Sequence, residues 1–352
     1  MMIPDTHPVD NLLRPFDGHV PGISVLLIVD GNAQYARALG KADLERNVAI
    51  SIATNFRLAS LTKQFTAAAV LRLAAQGALS LDEPIARFFE GVPPFWQQIT
   101  IHHLLTHTSG LADYEALIPP DTTAQLCDRD VFDLVRRVDT GGNDPGTTFH
   151  YSNTGYCLLA LIVERVASQP FAAFLREQVC LPAGMHFTIA YERDGNTIQR
   201  RAFGYSFHDG AFVCTDQSLT SATLGDGGVY SSTIDLERWN AALSDDTLLP
   251  EALRVAMFTP HVATPSGDAY GYGWFLTHIA GQRAAYHTGE TVGFRTAIVR
   301  LLDRRCTAIV LANRSDAEAL PIAHALIRTV LDHEGVTVSR TTPLSLETQD
   351  FE

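Results

Sequence analysis

Ser60-Leu61-Thr62-Lys63 sets a hydroxyl and an amine three residues apart, a spacing that on a helix puts both on one face, one turn apart. A serine hydroxyl attacks carbonyls poorly until a base accepts its proton, and a lysine helps only where burial or neighbouring charge favours its neutral form. The chemistry on offer is nucleophilic acyl transfer. Tyr151-Ser152-Asn153 adds a phenol able to relay the serine proton to a leaving group and a carboxamide able to orient Lys63 or a substrate amide. The same residues also suit a buried tyrosine followed by a helix-capping asparagine. His287-Thr288-Gly289 is the third group: a glycine lets substrate approach a strand closely, and the N–H of Glu290 could join that of Ser60 in an oxyanion hole. Each group is weak alone; their weight lies in occurring together at suitable positions.

The elements that must position them can be read from pattern. Gly22 to Val29 is β-branched and apolar, Asp30-Gly31 is a hairpin signal, and Ala33 to Leu39 returns as a second strand. Thr62 to Ala75 has apolar residues at helical spacing and stops at Gly77, so Ser60 is expected at a helix start. Helical pieces are predicted over Ile101 to Thr106, Asp130 to Val138, Thr154 to Ala167 and Phe171 to Gln178. Strand patterns return at Trp274 to Ile279, Phe294 to Leu302 and Cys306 to Leu311, with His287 at the edge of a strand, and Ala317 to Leu331 closes as a helix. The predicted fold class is α/β of the α+β type: an antiparallel sheet built from residues 1–78 and 206–338, a mainly helical lobe over 79–205 inserted between them, and a loose polar end over 339–352.

The three groups, with Phe56-Arg57-Leu58-Ala59-Ser60, His107-Thr108-Ser109-Gly110-Leu111, Gly225 to Ser232 and Tyr270-Gly271-Tyr272-Gly273-Trp274, resemble the serine β-lactamase and penicillin-binding-protein superfamily, in the branch of class C β-lactamases, D-Ala-D-Ala carboxypeptidases and related esterases. The resemblance spans most of the chain. It implies an antiparallel sheet with a helical lobe, an acyl-enzyme on Ser60, Lys63 and Tyr151 as the acid/base pair, Asn153 as a positioning residue, and His287 in place of the lysine of K-T-G. A lysine there can hold a substrate carboxylate, whereas histidine is largely neutral at pH 7 unless its pKa is raised. Ester or amide hydrolysis of esterase or peptidase type is therefore expected ahead of strong β-lactamase activity. Acyl transfer through the same acyl-enzyme, weak β-lactamase activity and a non-catalytic penicillin-binding sensor are the alternatives. Glu290 also departs from the usual small residue, and its charge would harm an oxyanion unless the side chain points away. Arg295 is a candidate partner for Glu290 or a substrate carboxylate, or a solvated strand arginine.

Composition narrows the rest. At 46% hydrophobic and 18% charged, 352 residues can bury a large core, and a net charge of -13 would repel a nucleic-acid backbone. The five cysteines form no C-x-x-C pair and read as reduced thiols. His102, His103 and His107 lack the spacing of a zinc helix and are assigned to capping and packing; Gly225 to Gly228 lacks the phosphate-loop pattern and reads as a tight turn beneath the site. Tyr272 and Trp274 read as pocket walls or as aromatic packing at the sheet end. No metal or cofactor is expected, and the partner is a small ester, amide or peptide substrate, with oligomeric state open. Met1 to Val20 has neither a basic start nor an unbroken apolar stretch, and no later run reaches membrane-spanning length, so a cytoplasmic location away from membranes is the expectation.

Overall fold

The computed structural model describes residues 8–139, 141–193 and 197–332; the segment 339–352, read above as a loose end, lies outside them. The large sheet contains β1 (Ile23–Val29), β2 (Asn32–Leu39), β3 (Val262–Ala263), β4 (Ala269–Tyr270), β5 (Phe275–Ile279), β6 (Gln282–Thr291), β7 (Phe294–Leu301) and β8 (Cys306–Ala312). Their spatial order is β3-β4-β5-β6-β7-β8-β1-β2, and every neighbouring pair is antiparallel. The two ends of the chain meet where β1 lies beside β8, with Ile23 opposite Ala312. Asp30 and Gly31, at φ 52° and 78°, make the predicted turn: both central residues of this hairpin adopt the positive φ that matches strand twist.

Both faces of the sheet are covered, which explains why its central strands read as unbroken apolar runs. Alternation sorts them: Leu26, Ile28, Ile309 and Leu311 face one core, while Val25, Leu27, Ala308 and Val310 face the other. The second core is closed by helix Ala319–Asp332, which buries Ile322, Ala323, Leu326 and Ile327 at helical spacing. The first core is shared with helices α1 (Thr62–Ala75), α2 (Asn153–Ala167), α3 (Thr233–Ala242) and α4 (Glu251–Met257). α1 is buried on nearly every side, and its small Ala67, Ala68 and Ala69 let neighbours close around it. Polar side chains in its first two turns fasten it: Thr62 Oγ1 accepts from the Val229 N–H at 3.1 Å, and Thr66 Oγ1 donates to the Gly225 carbonyl at 2.7 Å. Among the described residues no single helix is long and apolar enough to cross a membrane.

The structure changes three expectations of detail. β5 begins at Phe275, because the chain bends at Tyr272 and Gly273, the latter at φ 79°, just before Trp274. His287 stands in the middle of a ten-residue strand instead of at a strand edge. α3 and α4 were not anticipated. Their short helices carry weak apolar stripes, although Ser232-Thr233-Ile234-Asp235 is a start signal: the Asp235 N–H donates to Ser232 Oγ at 3.3 Å.

Candidate active site

Ser60 sits in a 3-10 turn, Ala59–Leu61, immediately before α1, so the helix start expected at this residue is refined by one tight turn. The preceding Ala59 takes φ 50°, a left-handed conformation that costs a non-glycine residue about 1–2 kcal/mol. Two contacts hold it there. The Leu58 N–H donates to the Val229 carbonyl at 2.8 Å, and Thr296 Oγ1 on β7 donates to the Leu58 carbonyl at 2.8 Å. Gly289 on β6 then approaches so closely that a Cβ there would lie 2.1 Å from the Leu58 carbonyl oxygen and 2.3 Å from Thr296 Oγ1. This glycine lets the strand lie against the serine turn.

Lys63 is fully buried and directs Nζ at three oxygens: Ser60 Oγ at 3.1 Å, Asn153 Oδ1 at 2.7 Å and the Asp226 carbonyl at 3.0 Å. Two of these can only accept. As an ammonium the group donates to all three; as a neutral amine its two N–H bonds serve Asn153 and Asp226, leaving the lone pair for the Ser60 hydroxyl. The cage therefore accommodates both states that proton transfer requires. The rings of Tyr151 and Tyr156 flank it, with centroids 4.9 and 5.5 Å from Nζ.

Asn153 opens α2 without capping it, so the capping alternative fails. Ser152 is the N-cap, and Asp113 Oδ2 accepts the Asn153 N–H at 2.7 Å. Asn153 Nδ2 donates to Glu115 Oε1 at 2.9 Å, which fixes the amide with its oxygen toward Lys63. The half-buried Tyr151 lies with its ring 4.4 Å from that of His107. His107 Nδ1 accepts the Ser152 N–H at 3.1 Å, and burial first, then the nearby Lys63, drives its pKa well below the usual value. A neutral imidazole thus serves as the platform beneath Tyr151, a role beyond the packing expected from sequence.

On β6, His287 is buried. Its Nδ1–H donates to the Thr288 carbonyl at 2.7 Å while Nε2 accepts from the Tyr270 hydroxyl at 3.3 Å. Burial and the Lys63 charge depress its pKa to about 3, so the position that holds lysine in K-T-G is neutral here. Gly289 faces the Leu58–Ala59 turn, so by alternation Thr288 and Glu290 face the opposite side of the strand. Glu290 is exposed and its Oε2 lies 3.7 Å from Arg295 Nε, the cross-strand partner; its charge points away from Ser60. β5 pairs with β6 only as far as Phe275 opposite Tyr286, so among the described residues His287 to Thr291 are bonded to β7 on one side alone.

Sequence reasoning missed the acid pair behind Lys63. Asp226 lies in the short helical turn Leu224–Gly227; its Oδ2 accepts from the Tyr114 hydroxyl at 3.3 Å, and Oδ1 has no partner among the described residues. Asp128 Oδ2 accepts the Leu224 N–H at 2.8 Å and Oδ1 the Gly225 N–H at 3.1 Å. Burial raises both carboxyls, that of Asp128 to about 7 with the help of Asp226, while Lys63 opposes the rise in Asp226. The available signal was Gly225-Asp226-Gly227-Gly228: Gly225 permits α2 to approach, since a Cβ there would lie 2.1 Å from the Tyr156 carbonyl oxygen. An acid between such glycines is held against whatever the turn supports. Of the remaining histidines, His103 completes a capping box with Thr100, and His102 Nδ1 bonds the Tyr272 hydroxyl at 2.9 Å. Trp274 is fully buried and packs against Phe258, with ring centroids 5.4 Å apart.

Comparison with known proteins gives this geometry a lineage. The family model described as Beta-lactamase matches residues 9–331. Penicillin-binding protein 4* of Bacillus subtilis is 33% identical over 310 residues, 83% of this chain and 68% of that protein. Protein flp of Staphylococcus aureus is 27% identical over 90% of this chain and 64% of its own length, so the chain spans about two thirds of these curated relatives. The crystal structure of a penicillin-binding protein from Bacillus halodurans superposes with a TM-score of 0.80 at 28% identity, covering 93% of this chain and 99% of that one. D-amino acid amidase from Ochrobactrum anthropi SV3 superposes with a TM-score of 0.74 at 25% identity, covering 93% and 99%. Matched from its first helix to its last, this chain belongs to the beta-lactamase family of serine hydrolases.

Proposed function

We propose that this chain hydrolyses an ester or amide through an acyl-enzyme on Ser60. The observation that carries the reading is the buried Lys63 Nζ, 3.1 Å from Ser60 Oγ and held by two carbonyl oxygens. In this mechanism the Ser60 oxygen bonds to the substrate carbonyl carbon as the Lys63–Tyr151 pair takes its proton. Collapse of the tetrahedral intermediate breaks the bond to the alcohol or amine, which leaves with that proton. Water then attacks the acyl carbon, gives its proton to the same pair, and Ser60 departs as the hydroxyl. The positive end of α1 beneath Ser60 favours the developing oxyanion, and the N–H groups of Ser60 and Glu290 are its donors.

Two features support a substrate class. The one-sided stretch His287 to Thr291 suits an extended acyl group that adds hydrogen bonds along the free edge of β6. The neutral His287, and the engagement of Arg295 with Glu290 and the carbonyls of Thr291 and Phe294, supply little fixed positive charge for a carboxylate. Uncharged esters and amides fit better than penicillin-like acids. The test is steady-state hydrolysis of an aryl ester by Lys63→Ala and Tyr151→Phe. Acid–base assistance of this kind is worth about 10²–10⁴-fold, and losses of that size are expected in both variants. Near-normal turnover in either one removes the assignment.

A further inference from the structure

A cavity of about 810 Å³ opens at a place that none of Ser60, Lys63, Tyr151 or His287 reaches. Its walls include the end of β7, the β1–β2 turn, and residues of α3 and α4. In a chain of net charge -13 the lining is basic, with Arg254, Arg283, Arg300, Arg304 and Arg305 against Glu237 and Asp245. Some of this charge is balanced locally. Arg283 pairs with Asp303 at 2.5 Å and Arg254 with Asp246 at 2.7 Å, while Asp245 is held below the usual carboxylate range by hydrogen bonds from Thr247 and, more weakly, by Arg254 and Arg305.

Arg300 differs. It lies on β7 opposite Ala285, on the face where Thr296 meets the Ser60 turn and Ile298 packs in the core. Glu290 is five residues farther along β6, roughly 17 Å at strand rise. Arg300 is only 8% exposed, its Nη2 donates to Ser244 Oγ at 3.3 Å, and its Nη1 has no partner among the described residues. No carboxylate forms an ion pair with it among those residues, and burial alone draws its pKa down to about 10, leaving it cationic at neutral pH. A desolvated guanidinium without a counter-charge is costly to keep. Its fork of donors matches a planar carboxylate or a phosphate. Nearby, Asn240 accepts from Thr307 Oγ1 through its side-chain oxygen at 2.7 Å, so its Nδ2 is a further donor in the wall.

We propose that this cavity is a binding site for a small oxyanion, a molecule carrying phosphate or carboxylate groups, with Arg300 as its buried anchor and Arg305 at its mouth. The site is separate from the Ser60 chemistry and does not depend on that reading. Isothermal titration at fixed ionic strength, with inorganic phosphate in one arm and citrate in the other, tests it and separates the two sources of charge. Saturable binding is expected in at least one arm, at equal affinity in wild type and Ser60→Ala, and at least tenfold weaker in Arg300→Gln. Arg305→Gln changes an exposed residue and is the second variant should Arg300→Gln fold poorly; weaker binding is expected there too. Absence of saturable binding by both anions overturns the proposal. So does affinity unchanged in Arg305→Gln and in folded Arg300→Gln, or binding lost in Ser60→Ala.

Discussion

Asn153 joins Lys63 to Glu115: its amide oxygen accepts from Nζ at 2.7 Å and its amide nitrogen donates to Oε1 at 2.9 Å. Because the carboxylate can only accept, it decides which end of the amide faces the lysine. Asn153→Ala should lower kcat by about 10- to 100-fold, the equivalent of one hydrogen bond to a charged group, with a smaller change in KM. Glu115→Gln keeps an acceptor and should stay within a few-fold of wild type, whereas Glu115→Ala should fall toward Asn153→Ala. Equal kinetics in all three variants would show that the amide does not position Lys63.

Gly289 makes a second, purely steric prediction. Its substitution by alanine drives a methyl into the Leu58 carbonyl, so β6 or the Ser60 turn must shift. A misplacement of about 1 Å can cost about 10²-fold in rate, and Gly289→Ala should lose at least that much kcat/KM while keeping its far-UV and near-UV circular dichroism. Full activity in a folded variant would mean that the close approach of strand and serine turn is unimportant.

The buried titrating groups pull stability in opposite directions with pH. Asp128, raised to about 7, binds its proton in the folded state where the unfolded carboxyl has lost it; its favourable contribution is complete below about pH 4 and is lost as pH rises toward 7. His287, lowered to about 3, and His107, lowered well below its usual value, stay neutral when the unfolded imidazoles protonate, so stability falls as pH drops below about 6.5. Thermal melts of Asp128→Asn should lose less stability than wild type between pH 4 and 7. Melts of His287→Gln should lose less than wild type from pH 6.5 downward. Variant and wild-type profiles that remain parallel would contradict these assignments.

Asp226 gives a separate test of the acid pair. Asp226→Asn leaves the backbone carbonyl that accepts from Lys63 in place, but removes the buried ionisable carboxyl that burial raises and Lys63 opposes. The pH profile of kcat/KM should move, and its maximum should fall by about tenfold or more, a range typical of supporting acid–base groups. A superimposable profile would confine Asp226 to packing.

Much of this arrangement was legible in the chain because local rules carry it. Thr62 to Ala75 was bounded by its apolar spacing and by Gly77, and those are the limits of α1; the Asp30-Gly31 hairpin followed from turn chemistry. Ser60 and Lys63 were paired by helical spacing, and their side chains meet. What pattern could not reveal was tertiary. The left-handed Ala59 is stabilised by Thr296, more than two hundred residues away, and the Asp128–Asp226 pair comes together across nearly a hundred. The neutrality expected of His287 holds, but its cause, burial beneath the site, is tertiary. Glu290 illustrates the same limit, since its direction became clear only once β6 and β7 were in register.

The most direct measurement is intact-mass spectrometry of protein quenched during turnover of an activated aryl ester, followed by peptide mapping. The account predicts a mass increase equal to one acyl group on wild type, located on Ser60 and absent from Ser60→Ala. An adduct on another residue, or ester hydrolysis retained at wild-type rate by Ser60→Ala, would contradict it.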